Sequence, residues 1–134
     1  MAQATTSEKI GSAPSISSPT AQSTEIGLEL SIIIPVFNER ENLRPLYQCL
    51  KEALKPWSAT SEILFVDDGS IDGSTQELRE LAQSDPTVQV LEFVRNFGQT
   101  AAIAAGFDHA RGRIIIPLDA DLQNDPRDIP RIME

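Results

Sequence analysis

One pattern repeats along the sequence: a short run of β-branched residues, a polar loop, and then apolar residues at helical spacing. The run Leu30–Pro35 leads into a polar loop, after which leucines recur at helical spacing from Leu43 to Leu54 until Pro56 interrupts them. Short apolar runs without alternation are typical of strands that are covered on both faces. The pattern therefore predicts an α/β domain built from right-handed βαβ units, with a parallel sheet and flanking helices.

Three further strands and three further helices are predicted from the same pattern. The strands are predicted at Glu62–Val66, Val88–Val94 and Arg113–Leu118. A helix with Leu78, Leu81 and Ala82 facing inward is predicted after the second strand, another from about Gln99 to Ala110, and a last one beginning after Pro126. Strands that alternate with helices in this way predict a single Rossmann-like domain.

The first 29 residues differ in composition from the rest of the chain. Ser, Thr, Ala, Gln and Pro dominate residues 1–29 without apolar periodicity, so we expect a disordered tail there and one domain over residues 30–134. This tail has neither the apolar core of a signal peptide nor the arginines of a transit peptide. No apolar run approaches the roughly 20 residues that a membrane-spanning helix needs.

The charge of the chain narrows the classes of partner. Its 134 residues carry a formal net charge of −9, which argues against direct binding to nucleic acid or to an anionic membrane surface. A phosphate-bearing ligand remains compatible with this charge, because a divalent cation can bridge carboxylates to phosphates. The single cysteine, Cys49, excludes an intramolecular disulfide, and its place among helical apolar positions predicts a small core residue.

Charged or glycine-bearing residues follow every predicted strand. They are Asn38 and Glu39, the stretch Asp67 to Gly73, the stretch Arg95 to Gly98, and the stretch Asp119 to Gln123. In a parallel sheet these strand ends lie along one edge, where open α/β sheets bind ligands. Because like charges repel, so many carboxylates at one edge favour a binding site over an inert scaffold.

The motif Asp119-x-Asp121-x-Gln123 indicates a metal site. Its alternation brings two carboxylates and an amide oxygen to one side of an extended chain, and such hard oxygen ligands suit Mg²⁺ or Mn²⁺. A structural alternative is a helix-capping aspartate beside a solvated one. A second alternative is a phosphatase of the haloacid-dehalogenase type, in which an Asp-x-Asp pair also follows a strand, although that motif normally opens the fold.

The stretch from Asp67 to Gly73 indicates a turn that contacts a ligand. A calcium-binding EF-hand is excluded, because Arg79 stands where the loop needs a bidentate glutamate. Gly69 permits a tight turn and close backbone approach, and a carboxylate of Asp67 or Asp68 can accept from a base N–H or a ribose hydroxyl. The structural alternative is a plain turn followed by a helix cap at Asp72 or Ser74.

The stretch from Arg95 to Gly98, just before a helix, could meet a diphosphate with a guanidinium and with helix N-terminal N–H groups. The structural alternative is a solvated surface arginine. His109 lies near a helix C-terminus and receives no catalytic role. The sequence contains neither a Gly-x-Gly-x-x-Gly motif nor a Gly-Lys-Ser/Thr phosphate loop, which removes the ordinary dinucleotide and P-loop alternatives.

Together these segments resemble the family 2 glycosyltransferases, above all the branch of dolichyl-phosphate mannosyltransferases and bacterial polyprenyl-phosphate glucosyltransferases. The segments that carry the resemblance are Ser31 to Glu39, Val66 to Gly73, Arg95 to Thr100 and Leu118 to Pro126. The Asp-Ala-Asp-Leu-Gln stretch is specific to the branch, whereas Pro-Val-x-Asn-Glu and Asp-Asp-Gly-Ser are common to the family. The resemblance covers about residues 30 to 134 and implies a GT-A fold, in which a nucleotide-binding half is joined to an acceptor half.

The resemblance also implies roles for individual residues. The nucleotide-binding residues would be Pro35, Val36, Asn38, Glu39, Asp67, Asp68, Gly69, Arg95, Asn96, Asp119 and Ala120. Asp119 and Asp121 would be catalytic and, with Gln123, would hold Mg²⁺ or Mn²⁺ on the diphosphate, where the cation neutralises charge on the leaving group. The implied reaction is an inverting transfer from a UDP- or GDP-hexose to a polyprenyl phosphate.

Family members continue well beyond the length of this chain. The acceptor half and any membrane-associated helices would therefore lie past Glu134, and the intact enzyme would work at the cytoplasmic face of a membrane. A non-catalytic nucleotide-binding module is the alternative for the chain as it stands, because orientation of both substrates supplies much of an enzyme's rate.

Overall fold

The computed structural model describes residues 7–10, 27–121 and 125–133. Within them, five parallel strands form one sheet with helices on both of its faces. The strands are β1 (Ser7–Ile10), β2 (Leu28–Val36), β3 (Ser61–Asp67), β4 (Val88–Phe93) and β5 (Gly112–Pro117). The helices are α1 (Arg40–Ala53), α2 (Ser74–Ser84), α3 (Gln99–His109) and α4 (Ile129–Met133), with short 3-10 turns at Lys55–Trp57 and Pro126–Asp128.

The strand order β1-β4-β3-β2-β5 places β2 between β3 and β5. Ile33 of β2 is level with Leu64 of β3 on one side and with Pro117 of β5 on the other. The chain builds the sheet outward from β2 to β3 and β4, and then returns through α3 to add β5 on the other side of β2. The order therefore reverses between β2 and β5, and open α/β sheets bind ligands at such a switch point.

Each face of the sheet has its own apolar core. On one face, α1 and α2 cover β2 and β3 with fully buried side chains such as Leu46, Leu78 and Phe65. On the other face, Ala102 and Ala105 of α3 pack in one cluster with residues of β2, β3 and β4. Burial on both faces explains why β2 and β3 have nearly continuous apolar sequences.

Two expectations from the sequence differ from the structure. Within the predicted tail, Ser7–Ile10 pairs with β4 as an edge strand, and β2 begins at Leu28 instead of Leu30. An edge strand satisfies backbone groups of β4 that would otherwise lie unpaired, and this requires no apolar signature. Cys49 is exposed and is not a core residue, because α1 turns Leu46 and Leu50 inward and Cys49 outward.

The described helices are all too short or too polar to cross a membrane.

Candidate functional site

A crevice opens at the switch point, where the C-terminal ends of β2 and β5 diverge. It is lined by Pro35, Val36, Phe37, Glu39, Asp68, Gln99, Asp119, Ala120 and Asp121. Seven of these were predicted from the sequence as site residues, and all but Asp68 and Gln99 come from β2, β5 or the loops that directly follow them. The topology therefore brings together residues that lie more than eighty positions apart in the chain.

The crevice is strongly acidic. Glu39, Asp68, Asp119 and Asp121 contribute carboxylates, and the described residues that line it include no lysine or arginine. Asp119 is half-buried and accepts a long hydrogen bond of 3.4 Å from the side-chain amide of Gln99, while Asp121 is exposed. An anionic ligand in this crevice would be repelled unless a cation accompanied it.

The donor chemistry of Asp119 and Asp121 fits a hard divalent cation. Mg²⁺ is commonly held by one or two carboxylates, with water and substrate phosphates completing its coordination. No cluster of three or more acidic, histidine or cysteine ligands occurs among the residues that the structure describes, so protein groups there do not form a closed metal cage. Gln123, the third ligand predicted from the sequence, lies outside the described residues.

Asn38 does not line the crevice but joins two loops beside it. Its Oδ1 accepts from the N–H of Ile71 at 2.9 Å, and its own N–H donates to Ser70 Oγ at 2.9 Å. The backbone of Asn38 is left-handed, with a φ of 55°, a conformation that asparagine tolerates better than most residues. Asn38 thereby fixes the turn between Phe37 and Glu39, two residues that do line the crevice.

Asp72 ties the same two loops together. Its Oδ2 accepts from the N–H of Arg40 at 3.2 Å, and its Oδ1 accepts from the N–H and hydroxyl of Ser74 at 2.9 and 2.6 Å. Burial raises the pKa of Asp72, but the hydrogen bonds from Ser74 and Arg40 outweigh it and leave that pKa below its ordinary value. The cap that the sequence predicts at Asp72 or Ser74 is therefore not found: Gly73, with a left-handed φ of 98°, is the N-cap of α2, and Asp72 just before it accepts from the N–H of Ser74, the first helical residue.

Asp67 lies outside the crevice. Its carboxylate accepts from the N–H of Ser70 at 3.1 Å and from the hydroxyl of Thr75, and it lines a separate depression with Ile71 and Arg79. These hydrogen bonds tie Asp67 to its own loop and to α2. Of the adjacent pair predicted to contact a ligand, only Asp68 reaches the crevice.

Asp68 is 4% exposed, and its carboxylate is engaged by the loop between β4 and α3. It accepts from the side chain of Asn96 and from the N–H groups of Phe97 and Gly98. In the same loop, the guanidinium of Arg95 lies 4.1 Å from the centre of the Phe97 ring. Arg95, Asn96 and Gly69, which the sequence predicts as nucleotide-binding residues, do not line the crevice but lie in the loops beside Asp68.

Two lining residues were not predicted from the sequence, Phe37 and Gln99. Phe37 is 45% exposed and presents an aromatic ring to the crevice. An aromatic residue directly after an apolar strand is easily interpreted as a core residue. Only its exposure in the folded chain shows that it is available to a ligand. Gln99 is the first residue of α3, and its position in the Arg95–Thr100 segment was the available signal.

The model of the family described as glycosyl transferase family 2 matches residues 31–134. The chain belongs to glycosyl transferase family 2. This confirms the family predicted from the sequence and removes the phosphatase alternative. In agreement with that assignment, Asp119 and Asp121 follow β5, the last strand described, whereas the phosphatase motif normally opens the fold.

Curated members of the family share more than two fifths of their residues with this chain over the aligned part. Dodecaprenyl-phosphate galacturonate synthase of Rhizobium johnstonii is 43% identical over 107 residues, which cover 79% of this chain and 32% of the relative. Undecaprenyl-phosphate 4-deoxy-4-formamido-L-arabinose transferase of Pseudomonas fluorescens is 48% identical over 106 residues, which cover 78% of this chain and 31% of the relative. Bactoprenol glucosyl transferase of Shigella phage SfX is 43% identical over 109 residues, covering 80% and 35%. The chain thus spans about a third of the length of these relatives.

Solved structures show the same fold at lower identity. A mannosyltransferase of Pyrobaculum calidifontis in complex with GDP-Man and Mn²⁺ is 24% identical, with a TM-score of 0.67 over 78% of this chain and 30% of that one. Glucosyl-3-phosphoglycerate synthase of Mycobacterium tuberculosis in complex with UDP is 20% identical, with a TM-score of 0.55 over 92% and 45%. The fold is the Rossmann-like GT-A type that the resemblance implied.

Proposed function

We propose that the chain is the donor-binding part of a glycosyltransferase that moves a hexose from a UDP- or GDP-sugar to a polyprenyl phosphate, with Mg²⁺ or Mn²⁺ held by Asp119 and Asp121. The observation that carries the proposal is the acidic crevice at the switch point between β2 and β5. A crevice lined by carboxylates, without lysine or arginine among its described residues, suits a diphosphate only when a divalent cation lies between the two. The family of the chain supports this assignment.

The nucleoside would lie against the end of β2. The exposed ring of Phe37 offers a surface on which a base can stack, and such stacking is worth about 1–3 kcal/mol per base. Pro35 and Val36 supply the apolar floor, and Glu39 and Ala120 complete the walls. Asn38 and Asp72 would affect the nucleoside indirectly, because their hydrogen bonds hold the loop that carries Phe37 and Glu39.

The chemistry proposed for the site is departure of a nucleoside diphosphate. When bound, the divalent cation supplies Lewis-acid neutralisation of the charge that develops on the leaving diphosphate. Asp119 and Asp121 would hold that cation, and the side-chain amide of Gln99 donates to Asp119 and helps to orient it. A phosphate oxygen of the acceptor forms a bond to the anomeric carbon as the bond to the diphosphate oxygen breaks, which inverts the configuration.

The acceptor class is proposed from the relatives. The names of the three relatives described above include dodecaprenyl phosphate, undecaprenyl phosphate and bactoprenol, although the sugars in those names differ. A polyprenyl phosphate is already an anion, so it needs less help from a general base than an alcohol would. With such an acceptor the intact enzyme would work at a membrane, and we propose its cytoplasmic face.

The proposal is tested by the thermal midpoint of the purified protein with UDP-glucose and with GDP-mannose, each with and without Mn²⁺. A ligand at about 100 times its dissociation constant stabilises a protein by about 2.7 kcal/mol. For a domain of this size, that corresponds to a shift of several degrees. We expect a shift with one of the two nucleotides, and only when Mn²⁺ is present.

The outcomes separate three conclusions. A folded protein whose midpoint moves with neither nucleotide would overturn the donor site. A metal-dependent shift with one nucleotide supports the site and identifies the donor class. If the intact enzyme, assayed in detergent, never moves radiolabelled sugar from that donor to polyprenyl phosphate, the transferase half of the proposal is wrong and the chain is a nucleotide-binding module.

A further inference from the structure

We infer that Ser31 and Glu62 are positioning residues for the carboxylates proposed to bind the metal, although they lie at the opposite edge of the sheet. They anchor the start of β5, and the anchored strand brings Asp119 and Asp121 to the crevice at its other end. The inference rests on the proposed function of the crevice. It assigns a role in the site to a buried glutamate at the end of β3 that is remote from the crevice.

Glu62 joins the start of β5 to the middle of the sheet. It is the second residue of β3 and is 3% exposed. Its Oε2 accepts from the hydroxyl of Ser31 in β2 at 2.6 Å and from the N–H of Arg111, just before β5, at 2.8 Å. Its Oε1 lies 3.2 Å from Nη2 of Arg111. The hydroxyl oxygen of Ser31 in turn accepts from the N–H of Gly112, the first residue of β5, at 2.8 Å.

Burial makes these hydrogen bonds important for the position of the strand. Ser31 is fully buried, and a buried hydroxyl or carboxylate is costly unless it keeps its hydrogen-bond partners. A shift of the chain at Arg111 and Gly112 would withdraw donors from both groups. The four residues Ser31, Glu62, Arg111 and Gly112, which we call the Glu62 cluster, therefore favour one position for the start of β5.

An independent observation shows that β5 begins in direct contact with the backbone of β2. A Cβ on Gly112 would lie 2.6 Å from the carbonyl carbon of Leu30 and 2.6 Å from the nitrogen of Ser31. A side chain at position 112 would therefore push the start of β5 away from β2. Glycine at this position lets the N–H of residue 112 reach the hydroxyl oxygen of Ser31.

The rest of β5 has little else to fix its register. Among the described strands, β5 pairs with β2 alone, and of its six described residues only Ile116 is buried. The register of a strand is specified by burial of its apolar residues, so weak burial specifies it weakly. The Glu62 cluster therefore supplies for β5 the constraint that apolar packing supplies for β2 and β3.

The geometry of the crevice depends on this register. The N–H of Leu118 donates to the carbonyl oxygen of Ile33 at 2.9 Å, and Asp119 directly follows Leu118. Because side chains alternate between the two faces of a strand, a slip of one residue would turn Asp119 and Asp121 away from the crevice. A loosened β5 should therefore weaken binding of the cation between these carboxylates, whichever nucleotide accompanies it.

The test compares Glu62→Gln with Glu92→Gln, which is its matched control. Glu92 in β4 is also a buried carboxylate, 2% exposed, and it accepts from Nε of Arg79 at 2.7 Å. Both substitutions therefore remove the charge of a buried glutamate that contacts an arginine. Only Glu62 contacts the start of β5, because β4 does not pair with β5.

Two quantities are measured in the unaltered protein and in both variants, at a temperature where all three are folded. The first is the Mn²⁺ concentration that half-saturates binding of UDP-glucose or GDP-mannose, whichever binds; we expect Glu62→Gln to raise it on the order of tenfold. The second is amide hydrogen exchange at Leu118 relative to exchange at Phe65 in β3, which reports global unfolding. We expect this relative exchange to accelerate in Glu62→Gln and not in Glu92→Gln.

The outcomes distinguish failure of the inference from failure of the proposed function. Equal changes in Glu62→Gln and Glu92→Gln would overturn the inference, because general loss of stability would explain both. Unchanged exchange at Leu118 in Glu62→Gln would overturn it as well, and faster exchange with an unaltered Mn²⁺ requirement would overturn the link to the crevice. If the unaltered protein binds neither nucleotide, the proposed function fails, while exchange at Leu118 still decides whether the Glu62 cluster holds β5.

Ser31→Ala is the second variant if Glu62→Gln does not fold. It removes the acceptor of the Gly112 N–H and one donor to Glu62. It should raise the Mn²⁺ requirement and speed the relative exchange at Leu118, each by a smaller factor. When both substitutions fold, their combined effect should be less than the sum of the two, because they act on one cluster. Full additivity would contradict a shared anchor.

Discussion

Gly106 of α3 lies directly over Ile33 of β2, so closely that a Cβ on Gly106 would be 2.4 Å from Cγ2 of Ile33. Ile33 is fully buried and is branched at Cβ, so its Cγ2 has little freedom to move away. The small residues of α3 therefore let the helix approach the sheet closely. This close contact fixes the distance between α3 and the sheet, and with it the position of Gln99 at the crevice.

Gly106→Ala should destabilise the protein. Overpacking of a full core typically costs about 1–3 kcal/mol, while alanine regains at most about 1 kcal/mol of helix propensity over glycine. We expect a lower free energy of unfolding in urea denaturation. The double variant with Ile33→Ala should lose less than the sum of the two single losses. A Gly106→Ala protein as stable as the original would show that α3 can shift without cost.

Asp121→Asn should weaken metal-dependent binding of the nucleotide. The substitution removes a negative charge from the exposed side of the crevice while it preserves the shape of the side chain. We expect the Mn²⁺ concentration needed for half of the thermal shift to rise about tenfold or more. Asp108→Asn, at the far end of α3, is a control of equal charge change. Retention of the original Mn²⁺ dependence in Asp121→Asn would refute the metal assignment.

Phe37→Ala should lower nucleotide affinity by about 1–3 kcal/mol, the range measured for stacking of a base on an aromatic side chain. Its matched control is Phe107→Ala, because Phe37 and Phe107 are 45% and 46% exposed and only Phe37 lines the crevice. Isothermal titration with the donor nucleotide and Mn²⁺ measures the difference. Equal affinities of the two variants would place the base away from Phe37.

The contact between Tyr47 and Asp85 should make stability depend on pH at both extremes. The Tyr47 hydroxyl donates to Asp85 Oδ2 at 2.6 Å, and Lys51 and Thr87 also contact this carboxylate. Burial raises the pKa of Asp85, but these hydrogen bonds outweigh it and hold the pKa well below its usual range. Burial and the bond to Asp85 raise the pKa of Tyr47 to about 12.

The two shifts act in opposite directions along the pH scale. A lowered pKa of Asp85 contributes stability above about pH 4, and this contribution is lost as the pH falls below that value. A raised pKa of Tyr47 contributes stability that is complete below about pH 10 and is lost as the pH rises towards 12. Urea denaturation across pH should show a smaller acid loss in Asp85→Asn and a smaller alkaline loss in Tyr47→Phe. Parallel pH profiles of all three proteins would contradict this assignment.

Most of the sheet could be predicted because β2, β3 and β4 are buried on both faces. The strand predicted at Glu62–Val66 is found at Ser61–Asp67, and the helix predicted from about Gln99 to Ala110 is found at Gln99–His109. When polar loops bound a continuous apolar run, the ends of the strand can be predicted closely from the sequence. The edge strand Ser7–Ile10 lacked such a signal, because an edge strand pairs through its backbone and needs no apolar side chains.

The location of the site was predictable from the sequence. Which of its residues line the crevice and which hold the surrounding loops was not. That Asp119 and Asp121 share a crevice with Glu39 follows from where parallel strands end. The sequence predicts a nucleotide contact for Asn38 and a helix cap for Asp72 or Ser74, yet in the structure Asn38 and Asp72 both accept from backbone N–H groups of neighbouring loops. Short polar side chains serve both purposes, and which one applies depends on how closely two loops approach in space.

The carboxylate lining of the crevice has a thermodynamic consequence for the proposed donor site. If a cation raises the affinity for a nucleotide by some factor, the nucleotide must raise the affinity for the cation by the same factor. Because Glu39, Asp68, Asp119 and Asp121 disfavour a bare diphosphate, that mutual factor should be large. Cation and nucleotide would then occupy the crevice together or leave it together, and the availability of free divalent metal would set how much of the protein is loaded with donor.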